Sequence, residues 1–157
     1  MKILPVYPEF PPSFWSFKYA VSMIGRRASM PPLGLITVLS MFPRDKFDIH
    51  KVVDLNARKL TDRQIKNSDL IVASSMLVHR DSLEEIIDRV HFFGKKIVVG
   101  GPYPTSYSGD IDADYIILGE AELTFPSFLE DLQKGNAKRV YDETDAKKRQ
   151  SQIQLTR

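Results

Sequence analysis

The 157-residue sequence contains no cysteine. Without thiols, the chain forms no disulfide, offers no thiolate nucleophile, and holds no zinc–thiolate site or cysteine-ligated iron–sulfur cluster. It also lacks an apolar run near the ~20 residues that a membrane helix needs. Its first residues, Met1–Val6, are too short and proline-broken for a signal peptide. These absences predict a cytoplasmic protein with no membrane span and no metal ligands of its own.

Motifs for common phosphate ligands are absent as well. No G-x-G-x-x-G follows a predicted strand, and no Walker A loop is present. The loop after the first predicted strand is proline-rich and lacks the N–H donors with which flavodoxins hold phosphate. Ser74 and Ser75 stand where a phosphoreceiver domain needs an aspartate. The net charge is only +2, with no basic block, which argues against nucleic acid as a partner.

What the sequence does contain is an alternation of short apolar strands and helical segments. The predicted strands are residues 2–7, 47–53, 69–74, 96–99 and 114–118, with residues 138–141 as a candidate extra strand. The predicted helices are residues 33–42, a short helix opened by a capping box at Thr61–Gln64, a longer one opened by a capping box at Ser82–Glu85, and one from about residue 120 to 134. This order predicts an α/β fold of the flavodoxin-like, Rossmann-like type. Its sheet is parallel and five-stranded in the order 2-1-3-4-5, with helices on both faces.

The predicted domain covers residues 1–141, and residues 142–157 are polar enough for a linker or tail. An aromatic helical insertion at about residues 8–30 interrupts the pattern after the first strand. Within it, residues 13–24 are predicted to form a helix with one apolar face. Two interpretations of its aromatic side chains remain open. They pack in the core, or they cover a ligand or meet another domain.

The most informative loop is the glycine pair Gly100–Gly101, which follows the buried strand 96–99. Glycines there allow positive φ and let a ligand approach the main chain closely, although a tight turn alone has the same pattern. In an open α/β sheet, ligands bind outside the carboxyl ends of the strands. The other strand exits, at residues 54–56, 74–77 and 119–122, are predicted to meet at the same edge.

Ser75-Met76-Leu77 followed by Gly100-Gly101 resembles the S-x-L … GG pair of cobalamin-binding domains. Over residues 1–141 the chain resembles the N-terminal domain of cobalamin-dependent radical S-adenosylmethionine enzymes. The subgroup it resembles includes the hopanoid methylases and the magnesium-protoporphyrin IX monomethyl ester oxidative cyclase. The matching stretches are residues 11–17, 31–35, 80–82, 100–105 and 118–122.

The resemblance implies a cobalamin cofactor bound base-off, with its dimethylbenzimidazole tail in a slot that bare backbone and small hydroxyls leave open. The D-x-H-x-x-G motif that supplies a cobalt-ligating histidine in many such domains is missing after the first strand. The resemblance, together with the expected meeting of the exit loops, gives the following candidate cofactor-binding residues. They are Asp54, Asn56, Ser74, Ser75, Leu77, Gly100, Gly101, Pro102, Tyr103, Gly119, Glu120 and Glu122. A Gly101→Val change is expected to abolish corrinoid binding while leaving the fold largely intact.

In the family that the chain resembles, S-adenosylmethionine and an iron–sulfur cluster belong to a following catalytic domain. We therefore expect this chain to lack catalysis alone and to serve a radical SAM catalytic domain as partner. Two alternatives remain open: a cofactor-free protein-interaction module that docks through the aromatic side chains of residues 14–19, and a regulatory domain that binds a nucleotide or flavin. His79, near the predicted edge, is interpreted as a solvated or locally hydrogen-bonded loop residue rather than a cobalt ligand.

Overall fold

The computed structural model describes residues 1–11 and 31–144, and the part of the chain that it describes forms one parallel sheet. The strands are β1 Lys2–Tyr7, β2 Asp48–Ile49, β3 Val53–Asp54, β4 Leu70–Ser74, β5 Lys96–Gly100, β6 Tyr115–Ile117 and β7 Val140–Tyr141. Their order is β2-β1-β4-β5-β6-β7, and β3 also pairs with β1. All pairs are parallel, so every strand exit lies at one edge.

The predicted fold class and strand order are confirmed, but the predicted count of five strands is wrong. The strand predicted at residues 47–53 is split into β2 and β3, which both pair with β1. Between the two pairings the edge strand advances four residues, from 49 to 53, while β1 advances three, from 3 to 6. One extra residue therefore interrupts the ladder, as in a β-bulge. The candidate extra strand at residues 138–141 is confirmed as β7.

Five α-helices connect the described strands. They are α1 Leu33–Ser40, α2 Asp62–Lys66, α3 Arg80–Phe92, α4 Pro102–Tyr107 and α5 Ala121–Lys134. The capping box at the start of α2 is confirmed, because Gln64 N donates to Thr61 Oγ1 at 3.3 Å and Thr61 N donates to Gln64 Oε1 at 2.9 Å. The capping box predicted at Ser82 is wrong, because α3 begins at Arg80. The Ser82 hydroxyl instead accepts a hydrogen bond from Glu9 N at 2.9 Å.

Successive side chains along each strand point to opposite faces of the sheet, so the core has two layers. On the α3 face, which α2, α3 and α4 cover, lie side chains such as Leu4, Ile71, Ile97, Val99, Tyr103 and Ile116. On the α5 face, which α1 and α5 cover, lie side chains such as Ile3, Leu35, Val72, Val98, Ile117 and Phe125. Full burial of an aliphatic side chain stabilises the fold by about 1.5–3 kcal/mol, so both faces contribute to stability.

Two predicted segments lie outside the described residues: the aromatic helix at 13–24 and all but the first three residues of the tail at 142–157. In the part of the chain that the structure describes, no helix is both long enough and apolar enough to cross a membrane.

Candidate functional site

A cavity of about 260 Å³ opens on the α5 face, where β4, β5 and β6 end. Its floor is formed by Val72, Val98 and Ile117 from the three strands, and Leu35 of α1 and Phe125 of α5 stand on either side. Among the described residues, neither helix covers the carboxyl edge of the sheet above the cavity, so this part of the structure leaves the cavity open at that edge. An open α/β sheet commonly holds its ligand in this position.

Gly100 gives the cavity part of its depth. It lies two residues after Val98 on the same strand, so a side chain at position 100 would point to the α5 face. A Cβ built there would lie 3.6 Å from Ile117 Cβ, which is ordinary van der Waals contact. Gly100 is therefore not required by the backbone, and its missing side chain leaves room in the cavity.

Gly101 has a different physical requirement. Its φ is +105°, and a Cβ there would lie 2.7 Å from Ser75 O. The exit loops are held together at this point, since Ser75 N donates to Gly100 O at 2.9 Å and Tyr103 N donates to Ser75 O at 3.1 Å. The expectation that Gly101→Val leaves the fold largely intact is therefore wrong: any side chain at this position meets backbone atoms and strains the loop.

Thr105 joins two exit loops at the cavity. Its hydroxyl donates to Gly101 O at 2.9 Å and accepts from Gly119 N at 3.1 Å. Thr105 lies in α4, a helix that the sequence analysis did not predict. Pro102 at the first position of that helix is the signal that could have found it, since proline is favoured there.

Seven of the predicted site residues line the cavity: Ser74, Gly100, Gly101, Pro102, Gly119, Glu120 and Glu122. Glu120 is the N-cap residue of α5, and Glu122 lies in its first turn; both are exposed. Their carboxylates favour the positive end of the helix dipole. They also put negative charge at the mouth of a cavity whose interior is mostly apolar.

The other five predicted residues are not among those that line the cavity. Tyr103 is buried in the core of the α3 face, Ser75 is buried beneath the exit loops, and Leu77 is 54 % exposed. Asp54 and Asn56 follow β3, on the far side of β1. All five lie in the region of the strand exits, as predicted. The alternating direction of side chains along the strands did not indicate which of them would face the cavity on the α5 face.

Asn56 holds the exit loop of β1 in place. Its Oδ1 accepts from Phe10 N at 2.9 Å, and its Nδ2 donates to Pro8 O at 3.2 Å and to Asp54 Oδ1 at 2.8 Å. These three contacts occupy both ends of the amide. The side chain predicted as a ligand acceptor is thus used to close the edge of the sheet around β1.

His79 lies beneath that closed loop with 0 % exposure. Its Nδ1 accepts from Met76 N at 3.2 Å, so the neutral ring carries its proton on Nε2, which has no hydrogen-bond partner among the described residues. The rings of Tyr7 and Phe10 contact it edge-on, with centroids 5.0 and 4.3 Å away. Burial lowers the pKa of His79, and the nearby Asp54 carboxylate opposes that shift. The residue is locally hydrogen-bonded, as one interpretation held, but not solvated.

Sequence reasoning missed the apolar walls of the cavity. They are Leu35, Val38, Val72, Val98, Ile117 and Phe125. Strand alternation could have placed Val72 and Val98 on one face of the sheet. No sequence signal indicated that α1 and α5, which share one core cluster, would leave a cavity between them at the carboxyl ends of the strands.

Comparison with known proteins gives consistent results. The family model of the B12 binding domain matches residues 21–129. An uncharacterized methyltransferase from Synechocystis sp. is 40 % identical over 139 residues, covering 86 % of this chain and 25 % of that protein. The hopanoid C-2 methylase of Rhodopseudomonas palustris is 30 % identical over 124 residues, covering 76 % of this chain and 23 % of that protein.

The chain thus spans about a quarter of the length of these two relatives. Among solved structures, the N-terminal domain of a hypothetical protein from Thermotoga maritima aligns with a TM-score of 0.45 and 18 % identity, over 71 % of this chain and 88 % of that one. The family match covers well over half of the sequence. The chain belongs to the B12 binding domain family.

Proposed function

We propose that this chain binds cobalamin base-off, with the dimethylbenzimidazole tail in the cavity between α1 and α5 and the corrin ring above the carboxyl edge of the sheet. The observation that carries the proposal is the cavity itself, which opens at that edge in a chain of the B12 binding domain family. Gly100 supports it, because a side chain there would occupy the room that a flat tail needs.

The size of the cavity favours the tail over the ring. At about 260 Å³ it lies just below the ~300–1,000 Å³ typical of sites for whole small molecules. It is mostly apolar inside and polar at its mouth, where Ser74, Glu120 and Glu122 lie. An apolar bicyclic base fits the interior, and the ribose hydroxyls reach the polar mouth, where carboxylates accept hydrogen bonds.

The proposed cobalt site takes no imidazole from this chain. The sequence has three histidines, and the loop after β1 contains none of them. His79 is fully buried, with its Nδ1 bonded to Met76 N. His91 Nε2 lies 3.1 Å from Asp114 Oδ2, next to the amino end of β6. His50 follows β2 and lies 4.0 Å from Asp48.

Bound cobalamin supplies a cobalt centre that carries a methyl group or an electron. The described residues would hold the cofactor by its tail and leave the outer face of the corrin free. Because the relatives are named methyltransferase and hopanoid C-2 methylase, we propose that the chain serves a methyltransferase-like or cyclase-like radical SAM protein. S-adenosylmethionine and the iron–sulfur cluster would be held by its catalytic domain, a partner of this chain.

The test is retention of hydroxocobalamin by the purified chain through desalting, followed by reduction to cob(II)alamin and electron paramagnetic resonance. We expect close to one cobalamin per chain and a spectrum without nitrogen coupling from an axial base. Loss of the cofactor on desalting, at protein concentrations in the micromolar range, would overturn the binding proposal. Retention with axial nitrogen coupling would overturn the base-off, histidine-free part of it.

A thermal-shift series separates this proposal from a flavin or nucleotide site. A ligand that binds only the native state raises the melting temperature as its concentration increases. We expect such a rise with hydroxocobalamin and none with FMN or ATP at matched concentrations. A rise with FMN or ATP alone would assign the cavity to another ligand class.

A further inference from the structure

We propose that the cavity selects among corrinoids by the chemistry of the tail base: it accepts an apolar benzimidazole and discriminates against a purine. This inference rests on the proposed function and goes beyond it, because a domain that binds cobalamin has no need to distinguish one tail base from another.

The side chains of the described lining residues offer few hydrogen-bond partners to a base inside the cavity. Its floor and walls are Leu35, Val38, Val72, Val98, Ile117 and Phe125. Of the described residues that line it, the hydroxyl-bearing ones are Thr37 on α1 and Ser74 at the end of β4. The carboxylates of Glu120 and Glu122 lie on exposed residues at the mouth rather than on the floor.

Among the described residues, several backbone groups of the exit loops around the cavity already have hydrogen-bond partners. Gly100 O accepts from Ser75 N, and Gly101 O accepts from Thr105 Oγ1. Gly119 N donates to the same hydroxyl.

The remaining loop groups follow the same pattern. Pro102 has no N–H to donate. Glu120 O accepts from the backbone N–H and the hydroxyl of Thr124. The N–H groups of Ala121 and Glu122, in the first turn of α5, have no partner among the described residues, and they lie beside the exposed carboxylates. In the part of the chain that the structure describes, the other exit-loop groups named here bond mainly with each other, and the floor of the cavity is apolar.

The two bases differ in what they demand from such a cavity. A dimethylbenzimidazole presents two methyl groups and a carbon-rich ring, which gain free energy on leaving water. An adenine presents an exocyclic amine and additional ring nitrogens, and a buried polar group left without a partner loses its hydrogen bonds to water. A site of this composition therefore favours the benzimidazole, with an expected affinity ratio of about tenfold or more.

The experiment measures the affinity of the purified chain for three corrinoids by isothermal titration. They are cobalamin, the corresponding adeninyl cobamide, and cobinamide, which has no tail. We expect cobalamin to bind at least about tenfold more tightly than the adeninyl cobamide. Equal affinities for these two would overturn the inference while leaving the proposed function intact. A chain that binds none of the three would overturn the proposed function, and the inference with it.

A matched pair of variants on α1 tests whether polarity is the cause. Val38→Thr adds a hydroxyl to the cavity wall at nearly constant volume, and Ile36→Thr makes a similar change at an exposed position outside the cavity. We expect Val38→Thr to reduce the cobalamin-to-adeninyl ratio several-fold, because the hydroxyl gives the purine a partner. Ile36→Thr should leave the ratio unchanged. An unchanged ratio in Val38→Thr, or an equal reduction in both variants, would overturn the assignment to cavity polarity.

Discussion

The two faces of the sheet differ most where the strands end. On the α3 face the edge is closed, since Tyr103 is buried in the core and its N–H donates to Ser75 O. On the α5 face the same strands end beneath an open apolar cavity. One set of exit loops therefore packs against the core on one face and leaves room for a ligand on the other.

The glycine pair at the end of β5 shows how the sequence encodes this difference. The backbone on the α3 face requires glycine at position 101, because its positive φ and its approach to Ser75 exclude a side chain. The backbone allows a side chain at position 100, but that side chain would enter the cavity on the α5 face. Adjacent glycines thus have separable roles, one in the backbone and one in the cavity, and substitutions can test them independently.

A side chain that fills the cavity on the α5 face should have the largest effect on cobalamin affinity. We expect Gly100→Val to reduce cobalamin affinity by at least about 100-fold, equivalent to about 2.7 kcal/mol, because its branched side chain occupies the cavity beside Ile117. We expect little change in its melting temperature, since valine is favoured in strands and its Cβ would lie at an ordinary contact distance of 3.6 Å from Ile117 Cβ. Isothermal titration and thermal denaturation measure the two quantities.

Gly100→Ala is the graded control and should lose less affinity than the valine variant. Gly109→Val is the distant control, because no described atom lies within 4 Å of a Cβ built at that position. Its affinity for cobalamin should match that of the unmodified chain. Tight binding by Gly100→Val would show that the tail does not enter the cavity.

A substitution that strains the backbone at Gly101 should have the second-largest effect, on the free energy of unfolding. We expect Gly101→Ala to lower the free energy of unfolding by about 1–3 kcal/mol, because its backbone, at φ +105° and ψ −175°, occupies a region that only glycine adopts readily. Contact with Ser75 O adds to that loss. Urea denaturation measures it. Gly135→Ala is the control for an ordinary left-handed glycine, at φ +72° and ψ 18° with open space around its Cβ, and it should lose less stability. An equal loss in the two variants would show that neither the unusual backbone of Gly101 nor its contact with Ser75 adds strain.

Loosening the β1 exit loop should have a smaller effect. Asn56→Ala removes two hydrogen bonds to the segment Pro8–Phe10 and one to Asp54, and we expect it to lower the free energy of unfolding by about 1–2 kcal/mol. Its cobalamin affinity should stay unchanged if the amide serves the fold alone. Asn67→Ala, at an exposed position after α2, is the control for urea denaturation and titration. A loss of affinity in Asn56→Ala without a loss of stability would place this side chain at the corrin, as the sequence alone predicts.

The sequence was sufficient for the fold because each element carries a local signal. Apolar strands alternate with helical segments, and parallel crossovers then restrict the order of the strands. The sequence pattern did not predict features that depend on pairing with a neighbouring strand. Residues 47–53 alternate like one strand, but their pairing with β1 requires an extra residue between β2 and β3. The sequence predicted a loop without a helix after Gly100–Gly101, although α4 begins at Pro102.

For the candidate site, the sequence predicted which residues lie at the strand exits but not on which face of the sheet each of them lies. Gly100, Gly101 and Gly119 were assigned correctly to loops that border the cavity. Tyr103 was predicted beside them, yet its side chain enters the core of the α3 face. The reason is physical: one or two residues in a turn reverse the direction of a side chain, while the distance along the sequence hardly changes. The apolar walls of the cavity resemble any other core residues, so their role is visible only once α1 and α5 are placed.

The smallest expected effect is a pH dependence of the closed β1 edge. His79 is buried with Tyr7 and Phe10, and burial lowers its pKa below the ordinary value of 6.5 while Asp54 opposes the shift. In the unfolded chain the imidazole gains a proton near pH 6.5, whereas the folded state resists it. The contribution of His79 to stability is therefore complete above about pH 7 and decreases as the pH falls through 6.5 towards the folded pKa.

Urea denaturation at about pH 7.5 and pH 5.5 measures this dependence. We expect the chain to be less stable at the lower pH, and His79→Asn to show a smaller difference between the two conditions, because the variant has no imidazole to protonate. His50→Gln is the matched control, since it removes a histidine that is partly exposed beside Asp48. If His79→Asn and His50→Gln both keep the pH dependence of the unmodified chain, proton uptake at His79 does not contribute to the loss of stability at low pH.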